Sequence, residues 1–115
     1  AHTQQIKAAL GIAGVLSNVY SWRKEADEDS DGAQIDILID RNDQVINLCE
    51  MKYSLSEYVI DADYEKSLRN KKCAFIDATK TRKAVHLTMV TTYGVRQNSH
   101  SGIVQSEVTL DDLFS

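Results

Sequence analysis

The chain has 115 residues, of which 43% are hydrophobic and 26% charged, a composition typical of one globular domain. Its formal net charge of −4 argues against a generic nucleic-acid coat protein. The sequence has no hydrophobic run near the roughly 20 residues of a membrane helix, and its first residues lack a signal-peptide core. We therefore expect one domain over 1–115, cytoplasmic and without a membrane partner. Cys49 and Cys73 lack CxxC spacing, so we expect both to be reduced core residues.

The first predicted elements are a helix over 2–10 and an extended segment over 14–24. Hydrophobic residues recur at helical spacing in the first of these, and Gly11 can end the helix. No capping residue precedes this helical pattern, so we expect the chain to be a fragment of a larger protein. The acidic stretch over 25–31 has no hydrophobic periodicity and predicts a loop.

A hairpin follows, with strands over 34–40 and 44–52 and turn-forming residues between them. Alternation in the first strand predicts Ile35, Ile37 and Ile39 on one face. The later predicted elements are, in order, a polar segment over 54–62, a helix over 63–78, a strand over 83–93, a polar loop over 94–101, a strand over 103–108 and a short helical turn that a capping box opens at Thr109. This order predicts an α/β fold with a mixed β-sheet flanked by helices.

The second hairpin strand carries two charges on a face that should be buried. Glu50 and Lys52 are two residues apart, so they leave the strand on the same side as Ile46 and Leu48. Charges at the end of a hydrophobic face are costly unless they are paired or bound to a metal. Such a break in the hydrophobic pattern often marks a functional site.

The register of the hairpin decides whether Asp36 joins them. If the loop is 42–44, Asp36 lies directly opposite Glu50, with Cβ atoms about 4.5–5.5 Å apart. A two-residue turn at Asn42 and Asp43 shifts the pairing by one residue and sends Glu50 to the other face. These two residues tolerate the left-handed conformation that a three-residue loop needs. The sequence therefore permits both registers.

Two neighbouring carboxylates repel each other unless a cation lies between them. Mg²⁺ favours one or two carboxylates together with water molecules, so Asp36 and Glu50 are candidate ligands. A bound Mg²⁺ can acidify a water molecule and stabilise charge on a phosphate, and Lys52 could orient that water or neutralise the phosphate. The alternative is a structural ion pair in which Lys52 pairs with one of the carboxylates.

The segment GAQIDILIDRNDQVINLCEMKYS resembles the core of the PD-(D/E)XK nuclease superfamily, in which an acid on one strand and an E-x-K motif on the next form the metal site. Asp36, Glu50 and Lys52 match this pattern. The chain is more similar still to the nuclease-like region at the C-terminus of prokaryotic AAA-type ATPases. That similarity runs from about Gln5 through LRNKKCAF and TYGVRQNSHSGIVQSEVTLDDLF, nearly the whole chain.

The resemblance implies a restriction-endonuclease-like fold and a Mg²⁺-dependent (or Mn²⁺-dependent) DNA endonuclease module with an ATPase module upstream. The catalytic residues would be Asp36, Glu50 and Lys52. The metal ligands would be Asp36, Glu50 and the backbone carbonyl of Met51. The chain has no GxxxxGK[ST] loop, so it is not itself the ATPase.

Superfamily members often take further site residues from helices. The helix after the E-x-K strand can supply a lysine, glutamine or tyrosine, and Tyr64, Lys66 and Arg69 are candidates here. Many members also supply an acid from the first helix, where this chain has Gln4 and Gln5. That acid lies upstream of Ala1, or the site works without it, or the domain is an inactive nuclease.

Basic residues dominate the segment from Asp63 to Lys83, with seven Lys or Arg against three Asp or Glu. A basic helix on an acidic domain is compatible with phosphate binding on one face. The candidate nucleic-acid ligands are Lys66, Arg69, Lys72, Lys80, Arg82 and Lys83. Three functions stay open: a DNA endonuclease, a catalytically inactive domain that docks DNA, the ATPase module or a second copy, and a generic α/β domain.

Overall fold

The computed structural model describes residues 3–28 and 32–113. Its elements are α1 (Thr3–Ala9), β1 (Ser17–Lys24), β2 (Ala33–Arg41), β3 (Val45–Lys52), α2 (Ala62–Thr79), β4 (Ala84–Thr91), a 3₁₀ turn (Ser101–Ile103), β5 (Ser106–Thr109) and α3 (Leu110–Leu113). The predicted α/β fold, with a mixed sheet flanked by helices, is confirmed. Within the described residues, no helix is long and apolar enough to cross a membrane.

The five strands form one sheet in the order β1-β2-β3-β4-β5. The β1–β2 and β2–β3 pairs are antiparallel, and the β3–β4 and β4–β5 pairs are parallel. A parallel neighbour requires a crossover connection, and the 18-residue helix α2 supplies it between β3 and β4. The carboxyl ends of β3 and β4 therefore meet at one edge of the sheet, where Lys52 pairs with Thr91.

Hydrophobic cores cover both faces of the sheet. One core lies beneath α2 and includes Leu48, Leu68 and Phe75. The other packs against α1 and α3 and includes Cys49 and Val90. Strands buried on both faces read as nearly continuous hydrophobic runs, which explains the pattern of β4.

The two cysteines differ in burial. Cys49 is buried in the core of α1 and α3, as the sequence predicts. Cys73 is exposed on α2, so the prediction of a core residue was wrong there. The helix turns Leu68 and Phe75 inward, and position 73 falls outside that stripe.

A β-bulge interrupts β2. Tyr20 pairs with Leu38, but Trp22 pairs with Ile35, so β2 holds one more residue than β1 across this interval. The extra residue lies within 36–37. A bulge of this kind bends its strand and redirects the side chains on either side of it.

The bulge overturns the predicted alternation in β2. Ile35 and Leu38 pack beneath α2, whereas Ile37 and Ile39 pack on the opposite side of the sheet. The prediction that Ile35, Ile37 and Ile39 share a face was therefore wrong. Strict alternation holds only while both strands advance by one residue per pair.

The hairpin register agrees with the three-residue loop. Asp40 pairs with Ile46, and the ladder continues to the pair of Ile37 and Cys49. The loop residues are 42–44, and the residue in the left-handed region is Gln44, with φ of 72°. The conformation that the sequence analysis assigned to Asn42 and Asp43 thus belongs to the residue after them.

Recognisable caps mark both ends of α2 and the start of α3. The Asp61 carboxylate accepts a hydrogen bond from the Tyr64 amide at 2.8 Å and begins α2. Lys80, with φ of 56°, ends the helix. The predicted capping box is confirmed at α3, where Thr109 and Asp112 exchange hydrogen bonds of 3.0 and 3.3 Å.

Candidate functional site

The last residues of β3 project charged side chains towards α2. The Lys71 ammonium donates a hydrogen bond to Glu50 Oε1 at 2.6 Å. The Lys52 ammonium lies 5.4 Å from the centre of the Tyr64 ring. Both partners belong to α2, so Glu50 and Lys52 lie on the helix side of the sheet. Among the described residues, Lys52 makes no ion pair.

The Glu50–Lys71 pair is partly withdrawn from water, since the Glu50 side chain is 13% exposed and that of Lys71 is 28% exposed. A charge-assisted hydrogen bond in such a setting is roughly twice as strong as a neutral one. Lys71 therefore offsets the cost of holding the Glu50 carboxylate at the end of a buried face.

Lys71 is not among the predicted site residues, although the sequence carries a signal for it. Lys71 lies three residues after Leu68 and four before Phe75, the two buried residues of α2. That spacing puts it on the core-facing stripe of the helix. A lysine on that stripe needs a partner, and the nearest strand charges are those of the E-x-K motif.

Tyr64 lies beside these charges and has an unusual hydroxyl group. Its Oη is buried without a hydrogen-bond partner among the described residues. Burial, followed by the nearby Glu50 and Tyr58, raises the pKa of Tyr64 well above its ordinary value. The hydroxyl therefore stays protonated at neutral pH and can donate a hydrogen bond to a group that enters the site.

Asp36 is exposed, and its carboxylate accepts a hydrogen bond from Gln34 Nε2 at 2.9 Å. It directly precedes Ile37, the β2 residue at which the β2–β3 ladder ends, and it lies within the bulge. Nothing in residues 3–28 and 32–113 bonds Asp36 to Glu50 or Lys52. The same residues contain no group of three or more His, Cys, Asp or Glu side chains placed to hold a metal ion.

The donor atoms around β3 suit a hard divalent cation. Two carboxylates, those of Asp36 and Glu50, and the Met51 carbonyl are oxygen ligands of the kind that Mg²⁺ prefers. The Lys71 ammonium already stands in as a cation on Glu50. Metal binding would require that Lys71 release Glu50 and that Asp36 turn away from Gln34. The donor types therefore fit the ion, although the described side chains do not converge on one point.

The predicted basic residues of α2 do not share one edge. Lys66 lines an open groove of about 510 Å³ between α2 and the start of β2. Arg69 instead pairs with Glu65 at 3.5 Å, and Glu65 also lies 3.4 Å from His100. Lys72 is half-buried. Each step of three residues falls about 60° short of a full helical turn, so the predicted row drifts around the helix.

The other three basic residues lie beyond α2. Lys80 is exposed and ends the helix in the left-handed conformation, and Arg82 is exposed. The Lys83 ammonium donates to the Asp40 carboxylate at 2.6 Å and to the Arg41 carbonyl at 2.8 Å. The Lys83 ammonium is therefore bonded within the fold. Of the six predicted nucleic-acid ligands, only Lys66 lines the groove that Lys71 also lines.

Comparison with known proteins gives a fold and no function. No protein-family model and no curated protein sequence matches the chain. The structure resembles the crystal structure of a protein of unknown function, AF1548, with a TM-score of 0.61 at 10% sequence identity. The match covers 97% of this chain and 64% of AF1548. The chain thus spans less than two thirds of that protein, and the likeness supports the fold alone.

Proposed function

We propose that this chain is a metal-dependent nuclease domain of the PD-(D/E)XK kind that hydrolyses phosphodiester bonds in DNA. The observation that carries the proposal is the hairpin register, whose last pair is Ile37 and Cys49, so that its continuation by one position would set Asp36 opposite Glu50. Glu50 and Lys52 face the same helix, and Lys71, the partner of Glu50, also lines a groove that contains Lys66.

In this proposal Asp36, Glu50 and the Met51 carbonyl hold Mg²⁺ or Mn²⁺. The bound ion would supply an acidified water molecule and stabilise charge on the phosphate. Lys52, which has no carboxylate partner among the described residues, orients the water or neutralises the phosphate. The Tyr64 hydroxyl, buried and unpaired in the described part of the chain, can donate a hydrogen bond to the reacting group.

The wider setting of the domain is part of the same proposal. Resemblance to the C-terminal region of prokaryotic AAA-type ATPases supports an ATPase module upstream and a cytoplasmic location. Lys66 and Lys71 in the groove support DNA as the partner, because lysines bind backbone phosphates without reading sequence.

Calorimetric titration with Mn²⁺ tests the site. The parent chain should bind the ion saturably, and Asp36→Asn and Glu50→Gln should each abolish binding. Asp111→Asn is the control, since Asp111 lies exposed on α3 and outside the site. Lys52→Met should keep metal affinity and lose cleavage of duplex DNA. Binding that survives both carboxylate substitutions, or a Lys52→Met variant as active as the parent, would contradict the proposal.

A second function has its own support: a catalytically inactive nuclease-like domain that docks DNA, the ATPase module or a second copy. Glu50 is neutralised by Lys71 and Asp36 is bonded to Gln34, so the charges are satisfied without a metal. This function predicts no Mn²⁺ binding. If DNA is the partner, binding should weaken steeply with salt, because phosphate contacts release counterions.

A further inference from the structure

We propose that Lys71 alternates between two partners: the Glu50 carboxylate in the metal-free chain, and a substrate phosphate in the adjacent groove once a divalent cation has bound. The inference rests on the proposed function and adds a residue that competes with the metal and then binds the substrate. Its basis is that Lys71 both contacts Glu50 and lines the groove.

The Glu50 carboxylate already has a cationic partner. The carboxylate is 13% exposed, and its ion-pair partner at 2.6 Å is a side chain from another element. A divalent cation that uses Glu50 must meet the positive charge of Lys71 at close range. A divalent cation and an ammonium on one partly buried carboxylate repel each other, because the effective dielectric constant there is below that of water. Metal binding therefore favours release of the Lys71 ammonium from Glu50.

A Lys71 ammonium released from Glu50 can move towards the groove. A lysine side chain is a flexible four-carbon stem with three donors, so its head group can move while its backbone stays in α2. Lys71 is 28% exposed, and the open side is the groove of about 510 Å³. The released head group therefore has solvent and the groove within reach.

The lining of the groove suits an anion. Its middle is formed by Lys66, Ser67 and Asn70, which can all donate hydrogen bonds to an anion. Its acidic residues, Asp63 and Asp77, each lie seven residues from Asn70, about 10 Å along the helix axis. A phosphate therefore finds two lysines and two neutral donors in the middle of the groove, with the acids towards its ends.

Two binding measurements at one pH test the proposal, with Lys71→Met compared to the parent. Mn²⁺ affinity by calorimetry should rise roughly tenfold, the size of effect that an opposite charge at close range has on proton binding by a carboxylate. Affinity for a short DNA duplex in Ca²⁺, measured by fluorescence anisotropy, should fall. The slope of log affinity against log salt should become shallower by about one.

Lys72→Met is the matched control, because Lys72 is the next residue but neither contacts Glu50 nor lines the groove. It should leave Mn²⁺ affinity unchanged. Lys71→Gln keeps a donor without the charge and should show the same opposite changes as Lys71→Met, which guards against misfolding of either variant. Thermal unfolding confirms that each variant is folded.

The outcomes separate this inference from the proposed function. A rise in Mn²⁺ affinity together with a fall in DNA affinity in both Lys71 variants would support the exchange. Binding in the parent that needs Asp36 and Glu50 but is unchanged or weakened in Lys71→Met would overturn the exchange and keep the nuclease proposal. Absence of Mn²⁺ binding in the parent and in both Lys71 variants would overturn both.

Discussion

Lys83 and Asp40 form an ion pair of 2.6 Å that ties the end of β2 to the start of β4 across the intervening strand β3. The same ammonium donates to the Arg41 carbonyl at 2.8 Å. A neighbouring backbone hydrogen bond from Ala84 to Gln44 joins the hairpin loop to β4 at 3.0 Å. Lys83, which the sequence analysis grouped with nucleic-acid ligands, thus stabilises this end of the sheet.

Lys83→Met should therefore lower the free energy of unfolding by about 1–2 kcal/mol. This is less than the roughly 1.5–3 kcal/mol of a hydrogen bond to a charged group, because more than a quarter of each side chain is exposed. Urea denaturation measures the change. Arg82→Met is the control, because Arg82 is exposed and should change stability by less than about 0.5 kcal/mol. DNA affinity should stay at the parent value in Lys83→Met. A Lys83→Met variant that keeps full stability but binds DNA more weakly would show that Lys83 contacts nucleic acid.

Hydrophobic periodicity was sufficient to predict the fold class and the two long elements around the site. The predicted helix over 63–78 corresponds to Ala62–Thr79, and the strand over 44–52 corresponds to Val45–Lys52. Both patterns are regular over their length and reflect burial on defined faces. The sequence left two hairpin registers open, because it did not determine the loop length, and the structure has the register of the three-residue loop.

The local features of the site could not be predicted in the same way. The bulge at 36–37 depends on how β1 pairs with β2, a contact between segments with an acidic loop between them. The bulge places Ile35 and Ile37 in the cores on opposite faces of the sheet. The Asp36 carboxylate, within the bulge, accepts a hydrogen bond from Gln34. The Glu50–Lys71 contact likewise depends on where α2 crosses the sheet. Hydrophobic periodicity within one segment predicts neither the bulge nor the Glu50–Lys71 contact.

The two thiols should react differently with a reagent such as Ellman's. Burial, and next to it the Glu50 carboxylate, raises the pKa of the Cys49 thiol to about 12, and the side chain is 1% exposed. Cys73 is exposed on α2. The folded chain at pH 8 should therefore titrate one thiol, and the chain in urea two. Cys73→Ser should reduce the folded count to zero, and a rapidly reacting thiol in that variant would show that Cys49 is accessible.

The raised pKa of Cys49 makes the free energy of unfolding depend on pH in the alkaline range. The folded chain holds the Cys49 proton up to about pH 12, whereas the unfolded chain releases it near the ordinary value of 9.0. The stability that the protonated Cys49 thiol contributes is fully present below pH 9. It is lost as the pH rises towards 12, because the unfolded state then binds fewer protons than the folded state. Cys49→Ala should be less stable at neutral pH, because it leaves a cavity, but its stability should decline less over that window.

Tyr64→Phe tests the unpaired hydroxyl. Since Tyr64 Oη is buried without a hydrogen-bond partner in the described part of the chain, its removal should leave stability unchanged or raise it by up to about 1 kcal/mol. Tyr64→Ala should cost about 3–5 kcal/mol, because the ring packs edge-on against Tyr58 at 5.6 Å. Denaturant melts give both values. A Tyr64→Phe variant destabilised by more than about 1 kcal/mol would mean that the hydroxyl is bonded in solution.

Gln44→Gly tests the hairpin loop on which the placement of Asp36 and Glu50 depends. Gln44 has a φ of 72°, a conformation that costs a residue with a side chain roughly 1–2 kcal/mol and costs glycine little. The substitution should raise the free energy of unfolding by about 0.5–1 kcal/mol, since the greater freedom of glycine in the unfolded chain offsets part of the relief. Gln44→Ala is the control and should give no such gain, because alanine keeps the strain. A loss of stability in Gln44→Gly would show that the loop does not hold Gln44 in the left-handed region, and the register that opposes Asp36 to Glu50 would lose its support.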